Sequence, residues 1–538
     1  MADYVIGIDV GTGSARAGVF DIAGRLLAAA KQDIALYLDP GDIAEQSGHD
    51  IWAAICRATR KTVSEAGIEP ALVRGIGFDA TCSLVAVTAD GAPVPVGRSG
   101  DPERNIIVWM DHRALAETRD INATAHPVLR YVGGAISPEM ETPKLLWLRR
   151  HMPESYARAA HFFDLADYLT WRASGSLARS ICTVTCKWTY LAHERRWDAS
   201  YFRAIGLDDL AEDGFRRIGT EMVDPGTPLG HGLTEEAAEA LGLLPGTVVA
   251  AGLIDAHAGG LGTVGAAGGQ GGITGRMGYV FGTSACTMAS STEPAFVPGV
   301  WGPYYSAMVP GLWLSEGGQS AAGAAIDQLL RCHPASQEAE ALARTEGRSL
   351  VDWVSAEAAR LAAATSPADL IGSLAVVPEF LGNRSPLADP DARAVIAGLG
   401  MDRGITGLIG LYLAGIAGLG YGMRQILDAM EAEGIVIDTV VISGGAGASP
   451  LVRQVLADAA EVSVAGTRSP EPVLLGAAML GAVAAGAYED LSTAMPAMSA
   501  LDTIHPPAGS ETATWHRQRF TVFAALQAAA RALGRPAA

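Results

Sequence analysis

Cysteine is scarce in this chain of 538 residues, with six thiols of which only Cys182 and Cys186 are near neighbours. That is too few and too scattered for a disulfide scaffold, and it points to a reducing compartment. Positive charge is scarce as well: 39 Lys and Arg face 58 Asp and Glu, leaving a net charge of -19. Such a field repels phosphate backbones and anionic headgroups, so neither nucleic acid nor membrane is an expected partner. The amino-terminal MADYVIGIDVG lacks the basic segment and long apolar run of an export signal, which makes a cytoplasmic location the expectation. The uncharged stretch 405–423 is nearly as long as a membrane span. Its glycines, and the apolar pattern that runs on through Ile426, Leu427 and Met430, make it a buried helix instead. The small-residue run 473–488 is read in the same way.

What the chain holds in quantity is apolar side chain, 49% of residues, and glycine, 64 residues, without a fibre repeat or the low complexity of a linker. Two large domains can each bury a core, and many tight turns or close backbone approaches are expected. The first residues read as a meander: a strand over 4–9, a Gly11-Thr12-Gly13-Ser14 turn, a strand over 16–20, and a third strand after the turn 21–24. Helical spacing follows over 50–65, then a strand over 73–78 that ends at Asp79, a hairpin signal at Asp90-Gly91, and a helix over 162–172. The glycine-rich segment 246–282 separates two halves, placed at 1–254 and 255–538. GYVFGTSACTMAS, from Gly278, repeats the order of the opening GIDVGTGSARAGVF: strand, Gly-Thr, small hydroxyl residue, strand. The echo suggests two similar α/β domains facing across a cleft.

Turns of this kind suit phosphate, because converging backbone N–H groups need glycine for access and a hydroxyl adds a donor. The dinucleotide fingerprint would need glycine at Arg16 and the nucleotide P-loop a lysine at Val19, and both lead into a helix rather than a strand. Gly11, Thr12, Gly13 and Ser14 therefore read either as an actin-like phosphate turn, with Asp9 holding magnesium through water, or as an ordinary hairpin. TVVISGGAGAS, 439–449, is a strand ending in Gly444-Gly445 before a helix over 450–458, a corner that accommodates a nucleoside or is merely structural. Asp255 follows a short strand and precedes a small-residue helix. It is either a helix cap or a general base that takes a proton from a hydroxyl attacking phosphate.

These residues resemble the FGGY family of sugar kinases, of the hexokinase, actin and heat-shock ATPase fold, over nearly the whole chain. GIDVGTGSARAGVFD is similar to the first phosphate motif, FGTSACTM to the second, GLIDAHAGGLG to that of the catalytic aspartate and SGGAGASPLVRQVLAD to the adenosine motif; GNRSPLADPDARAVIAGL, 382–399, resembles a further signature. The resemblance implies two ribonuclease-H-like domains around a central cleft, with ATP and Mg2+ as cofactors. Gly11, Thr12, Gly13, Ser14, Arg16, Gly282, Thr283 and Ser284 would meet phosphate; Gly323, Gly444, Gly445, Ala446 and Ser449 the nucleoside; Asp9 the metal; Asp255 would be catalytic. GFDATCSLVAV, WMDHRA and SPEMETPKLLWL look most like the ribulose kinases, and Thr-Cys-Ser like their D-ribulose branch. Asp79, Thr81, Cys82, Ser83, Lys187, Glu316 and Asp255 would then contact the sugar. A solvated lysine and a helix-start glutamate are the plainer accounts of Lys187 and Glu316, and packing is that of Cys182 and Cys186, which no second Cys or His pair accompanies in sequence. Ala256 stands where many relatives have an amide. The expected activity is ATP-dependent phosphorylation of D-ribulose; L-ribulose, D-xylulose or a pentitol is the nearer alternative, and a non-catalytic nucleotide or sugar sensor the more distant. The expected partner is a small sugar, with a homodimer where the chain self-associates.

Overall fold

A computed structural model describes residues 3–533. Strands β1 (Tyr4–Val10), β2 (Ser14–Asp21), β3 (Leu26–Asp33), β4 (Val73–Ala80) and β5 (Val248–Val249) form one sheet in the order β5-β4-β1-β2-β3. β1 is antiparallel to β2 and parallel to β4. The second half repeats the plan. Strands β6 (Arg276–Phe281), β7 (Ala285–Ser291), β8 (Trp313–Gln319), β9 (Thr439–Ser443) and β10 (Ser463–Thr467) run β10-β9-β6-β7-β8, again antiparallel on the β7 side and parallel on the β9 side. Outer strands Trp301–Tyr305 and Leu501–His505 extend this sheet at its two edges. The repeat seen in two short sequence stretches is therefore a repeat of whole domains.

Seven helices position the site: α1 (Gly48–Ala66), α2 (Ile181–Trp188), α3 (Asp255–Val264), α4 (Gly323–Cys332), α5 (Ile405–Ala432), α6 (Pro450–Ala460) and α7 (Pro472–Ala484). Ser47 caps α1 by accepting from the Asp50 N–H, and Gly67 closes it in the left-handed conformation. α5 is long and apolar enough to cross a membrane, yet 83% of its apolar stretch is buried within the protein, as a core helix requires. The helix expected over 162–172 is shorter. His161–Asp164 is a strand paired with Leu84–Val87, and the helix starts at Leu165, because the adjacent aromatic pair Phe162 and Phe163 is buried on both faces of a sheet.

α3 and α7 hold the two halves together. α7 comes from the second half yet lies on the first sheet so closely that a Cβ at Gly7 or Gly77 would stand 2.0 Å from the carbonyl oxygens of Leu474 or Ala477. One at Gly476 would stand 1.9 Å from the Ala258 carbonyl of α3. Backbone meets backbone here, and only glycine permits it. A buried apolar cluster containing Val5, Ala258, Leu261, Met288, Leu474 and Met479 runs through this junction. Separate clusters fill the first sheet with α1 and the second with α4, α5 and α6. Asp255 thus begins the helix that packs between the domains.

Candidate active site

Strand register builds the first wall of the cleft. Asp9, next to last in β1, faces Arg16 of β2 on one side and Asp79 of β4 on the other. Leu253, two residues before Asp255, pairs with Asp79 in turn. The Asp9 and Asp79 carboxylates are thereby brought beside the Arg16 guanidinium, with Asp255 next to Asp9. Arg16 pairs with Asp9 and reaches Glu471, at the start of α7, at 2.9 Å. Asp79 is fully buried, and neither carboxylate oxygen has a hydrogen-bond partner among the described residues. Burial, then the Asp9 and Asp255 charges, hold it well above the usual carboxylate range. Burial and Asp9 also raise Asp255, to about 6. Among the described residues its side chain accepts from the adjacent Ala256 N–H alone, at 2.7 Å, while Ile254 occupies the cap position. The helix-cap account of Asp255 therefore fails, and its carboxylate lines the cleft.

The two glycine turns close the same end of the two sheets. The Gly11 N–H donates to the Ser14 carbonyl at 3.0 Å, and the Gly282 N–H to that of Ser284 at 2.9 Å. Thr12 is fixed from outside, its hydroxyl accepting from Trp109 Nε1 at 3.0 Å and its carbonyl from Gln46 Nε2 at 2.8 Å. The duplication is unequal in chemistry. Where the first turn has Asp9 beside Arg16 and Asp79, the second has Val280 beside Cys286 and Ser443. At this register position only the first turn carries a carboxylate.

A cavity of about 300 Å³ lies between the walls, lined by Asp9, Thr12, Thr81, Cys82 and Lys187 from the first half and Asp255, Thr283, Glu316 and Arg384 from the second. Lys187 is no solvated lysine and Glu316 starts no helix: Lys187 lies in the last turn of α2, Glu316 lies within β8, and the two buried charges approach to 3.6 Å. Lys187 and His257 hold the Glu316 carboxyl down at about 2 against the cost of burial. The Lys187 ammonium also stands 4.7 Å from the Trp301 ring centroid. Ser83 is behind the wall, its hydroxyl shared between Thr81 at 3.1 Å and the Trp109 N–H at 3.1 Å, so it positions Thr81 rather than facing the cavity.

Sequence reasoning passed over Trp109, Glu139, Cys286, Trp301 and Arg384, which also line the cavity. Trp109, Glu139 and Arg384 lie in segments noted as motifs, WMDHRA, SPEMETPKLLWL and GNRSPLADPDARAVIAGL, so proximity to those motifs was the available signal. Arg384 donates to Cys286 Sγ at 3.6 Å and stacks toward Trp301.

A second cavity, of about 800 Å³, opens beyond the Gly282-Thr283 turn that both cavities share. Gly323, Gly445 and Ser449 line it, with Val351, Ala359 and Ile416 supplying an apolar wall. Gly323, first residue of α4, donates to the Gly282 carbonyl at 3.0 Å, tying this cavity's floor to the turn. Gly444 has φ +97, and a Cβ there would lie 2.2 Å from the Phe281 carbonyl. Residues 445–448 then form a single 3-10 turn that includes Ala446, whose side chain lies outside the described set. Gly13 and Ser14 line neither of these two cavities.

The architecture and the site have counterparts. Residues 4–262 match the N-terminal domain of the FGGY family of carbohydrate kinases, and 277–485 its C-terminal domain. The FGGY carbohydrate kinase domain-containing protein of Homo sapiens is 45% identical over 531 residues, spanning 97% of this chain and 96% of that protein. A D-ribulokinase of Saccharomyces cerevisiae is 37% identical over 519 residues, spanning 91% of this chain and 73% of that protein. Among solved structures, a xylulose kinase from Brucella ovis superposes with a TM-score of 0.80 at 21% identity, covering 98% of this chain and 99% of that one. A glycerol kinase from Plasmodium falciparum, solved with ADP, superposes with a TM-score of 0.75 at 14% identity, covering 98% of each chain. With both domain models matched in order and a relative this similar over nearly its full length, the chain belongs to the FGGY family of carbohydrate kinases.

Proposed function

We propose that this kinase transfers the terminal phosphoryl group of ATP to a pentulose, D-ribulose in preference to its isomers, giving D-ribulose 5-phosphate. The observation that carries the reading is Asp255, a carboxylate raised to about 6 beside the phosphate turns and in the same cavity as the Lys187–Glu316 pair. A base of that strength is ionised at neutral pH and still basic enough to take a proton from a hydroxyl as it attacks. The larger, partly apolar cavity suits the nucleoside, and the N–H groups of the two turns suit its phosphates. Sugar hydroxyls would meet Thr81, Lys187 and Glu316, whose charges are already fixed by one another and lose little on ordering.

Magnesium fits the first turn. Hard carboxylate oxygens are its preferred donors, and Asp9 offers them at the cleft wall. When bound, the ion supplies charge neutralisation on the phosphate oxygens. The protein's part is placement: Arg16 tethers Asp9 to Glu471 across the domain junction, and the glycine turns admit phosphate to the backbone.

The preference for D-ribulose draws support from the similarity to a D-ribulokinase and from Thr81 and Cys82 at the end of β4. A site that pairs one sugar hydroxyl leaves a buried group unsatisfied with the epimer. In a coupled ADP-release assay D-ribulose should exceed D-xylulose, L-ribulose, ribitol and glycerol in kcat/KM, with a margin over D-xylulose of at least about tenfold, equivalent to about 1.4 kcal/mol. A better rate with D-xylulose or L-ribulose overturns the sugar assignment. ATP binding without turnover of any sugar would favour a sensor.

A further inference from the structure

Beneath the Lys187–Glu316 pair lies a group of side chains that phosphoryl transfer does not use. Cys182 and Cys186 stand one turn apart on the same face of α2, and His257 reaches them from the first turn of α3. The three possible ligand atoms all lie within 4.8 Å of one another, and all three residues are buried. Cys182 Sγ is 3.0 Å from His257 Nδ1. The other ring nitrogen, Nε2, faces Glu316 Oε2 at 3.5 Å.

From this geometry we infer a metal site: Cys182, Cys186 and His257 Nδ1 bind one zinc ion or another closed-shell thiophilic divalent ion. Two sulfurs and one imidazole nitrogen are the donors zinc prefers, and three protein ligands leave a fourth tetrahedral vertex for water. A carboxylate on the far nitrogen of a ligating histidine is the usual support that fixes ring orientation, and Glu316 occupies that place. Small movements bring sulfur and nitrogen to bonding distance, since Cys182 and His257 are already in contact.

Charge balance is kept. Lys187 already offsets Glu316. With metal, two thiolates and a neutral imidazole offset the dication, and the two protons displaced from the ligands leave to solvent. The sequence offers no hint of this set, because the third ligand lies 75 residues beyond Cys182 and on another helix. The inference is independent of which sugar is phosphorylated.

Chelator-treated full-length protein, titrated with Co2+, should develop a thiolate-to-cobalt charge-transfer band and tetrahedral visible bands, saturating at one equivalent and bleached by Zn2+. Protein produced with added zinc should retain about one zinc per chain after desalting, measured by plasma mass spectrometry. Cys186→Ala and Cys182→Ser should each weaken cobalt binding at least about tenfold, whereas Cys332→Ser, at an exposed thiol far along the chain, should leave the band intact. A folded wild-type protein that shows no cobalt band and retains no zinc overturns the site, and so does a band unchanged in the Cys182→Ser, Cys186→Ala double variant. Because the wild-type measurements alone can refute it, misfolding of a variant does not shield the proposal.

Discussion

Replacing Asp255 by asparagine should cripple the enzyme and strengthen the fold at once. The side-chain volume stays the same and the charge is lost, so the base disappears: turnover should fall by about a hundred to ten-thousandfold with ATP binding retained. The stability effect has the opposite sign. The Asp255 carboxyl rises from 3.8 to about 6 on folding, because burial and the Asp9 charge disfavour its ionised form. The native state therefore binds the extra proton, and stability falls as pH rises between those two values. About two units correspond to about 3 kcal/mol at neutral pH, an upper figure that water in the cavity reduces to about 1–2. Asparagine removes that penalty. For a chain of this length, about 1–2 kcal/mol shifts the melting midpoint by about 1–2 °C. Differential scanning calorimetry with chelator present should show the full gain above about pH 7, roughly half of it near pH 5 and almost none below about pH 4. A variant that keeps more than a tenth of wild-type turnover removes Asp255 from the chemistry. A variant that melts lower than wild type at pH 8 refutes the desolvated-charge account.

Asp9→Asn should raise the magnesium concentration needed for half-maximal rate by about tenfold or more, since one of the hard anionic donors is lost while the turn remains; an unchanged magnesium titration would contradict the assignment. Glu316→Gln leaves the Lys187 ammonium buried without its partner at 3.6 Å. Its sugar KM should rise at least about tenfold, with a lower melting midpoint, because breaking one side of a buried pair costs about 3–5 kcal/mol; equal KM values for the two proteins would exclude Glu316 from sugar binding. Gly444→Ala forces a Cβ to within 2.2 Å of the Phe281 carbonyl at a left-handed position, so nucleotide affinity measured by calorimetry should fall while sugar affinity persists.

Local chemistry made much of this protein legible in one dimension. Both glycine turns, Asp9 and Asp255 sit at strand ends, and strand pattern and turn chemistry are properties of a few adjacent residues. The duplicated plan was visible for the same reason: the two turns that begin the halves repeat the same short order of residue types. Where the reading slipped, as at 162–164, helical spacing competed with a pair of aromatic residues, and only pairing with Leu84–Val87 chose the strand. Other features belong to the tertiary structure alone. The Asp79 carboxyl is held well above its usual range because three strands in register place it against Asp9 and bury it. Lys187 and Glu316 became an ion pair, rather than a surface lysine and a helix start, because α2 and β8 are brought together from opposite halves. His257 meets Cys182 and Cys186 through the packing of α3 against α2. Electrostatics and ligand geometry depend on burial and on distances between remote segments, and those are set by how the two domains close on α3 and α7, not by the order of residues along the chain.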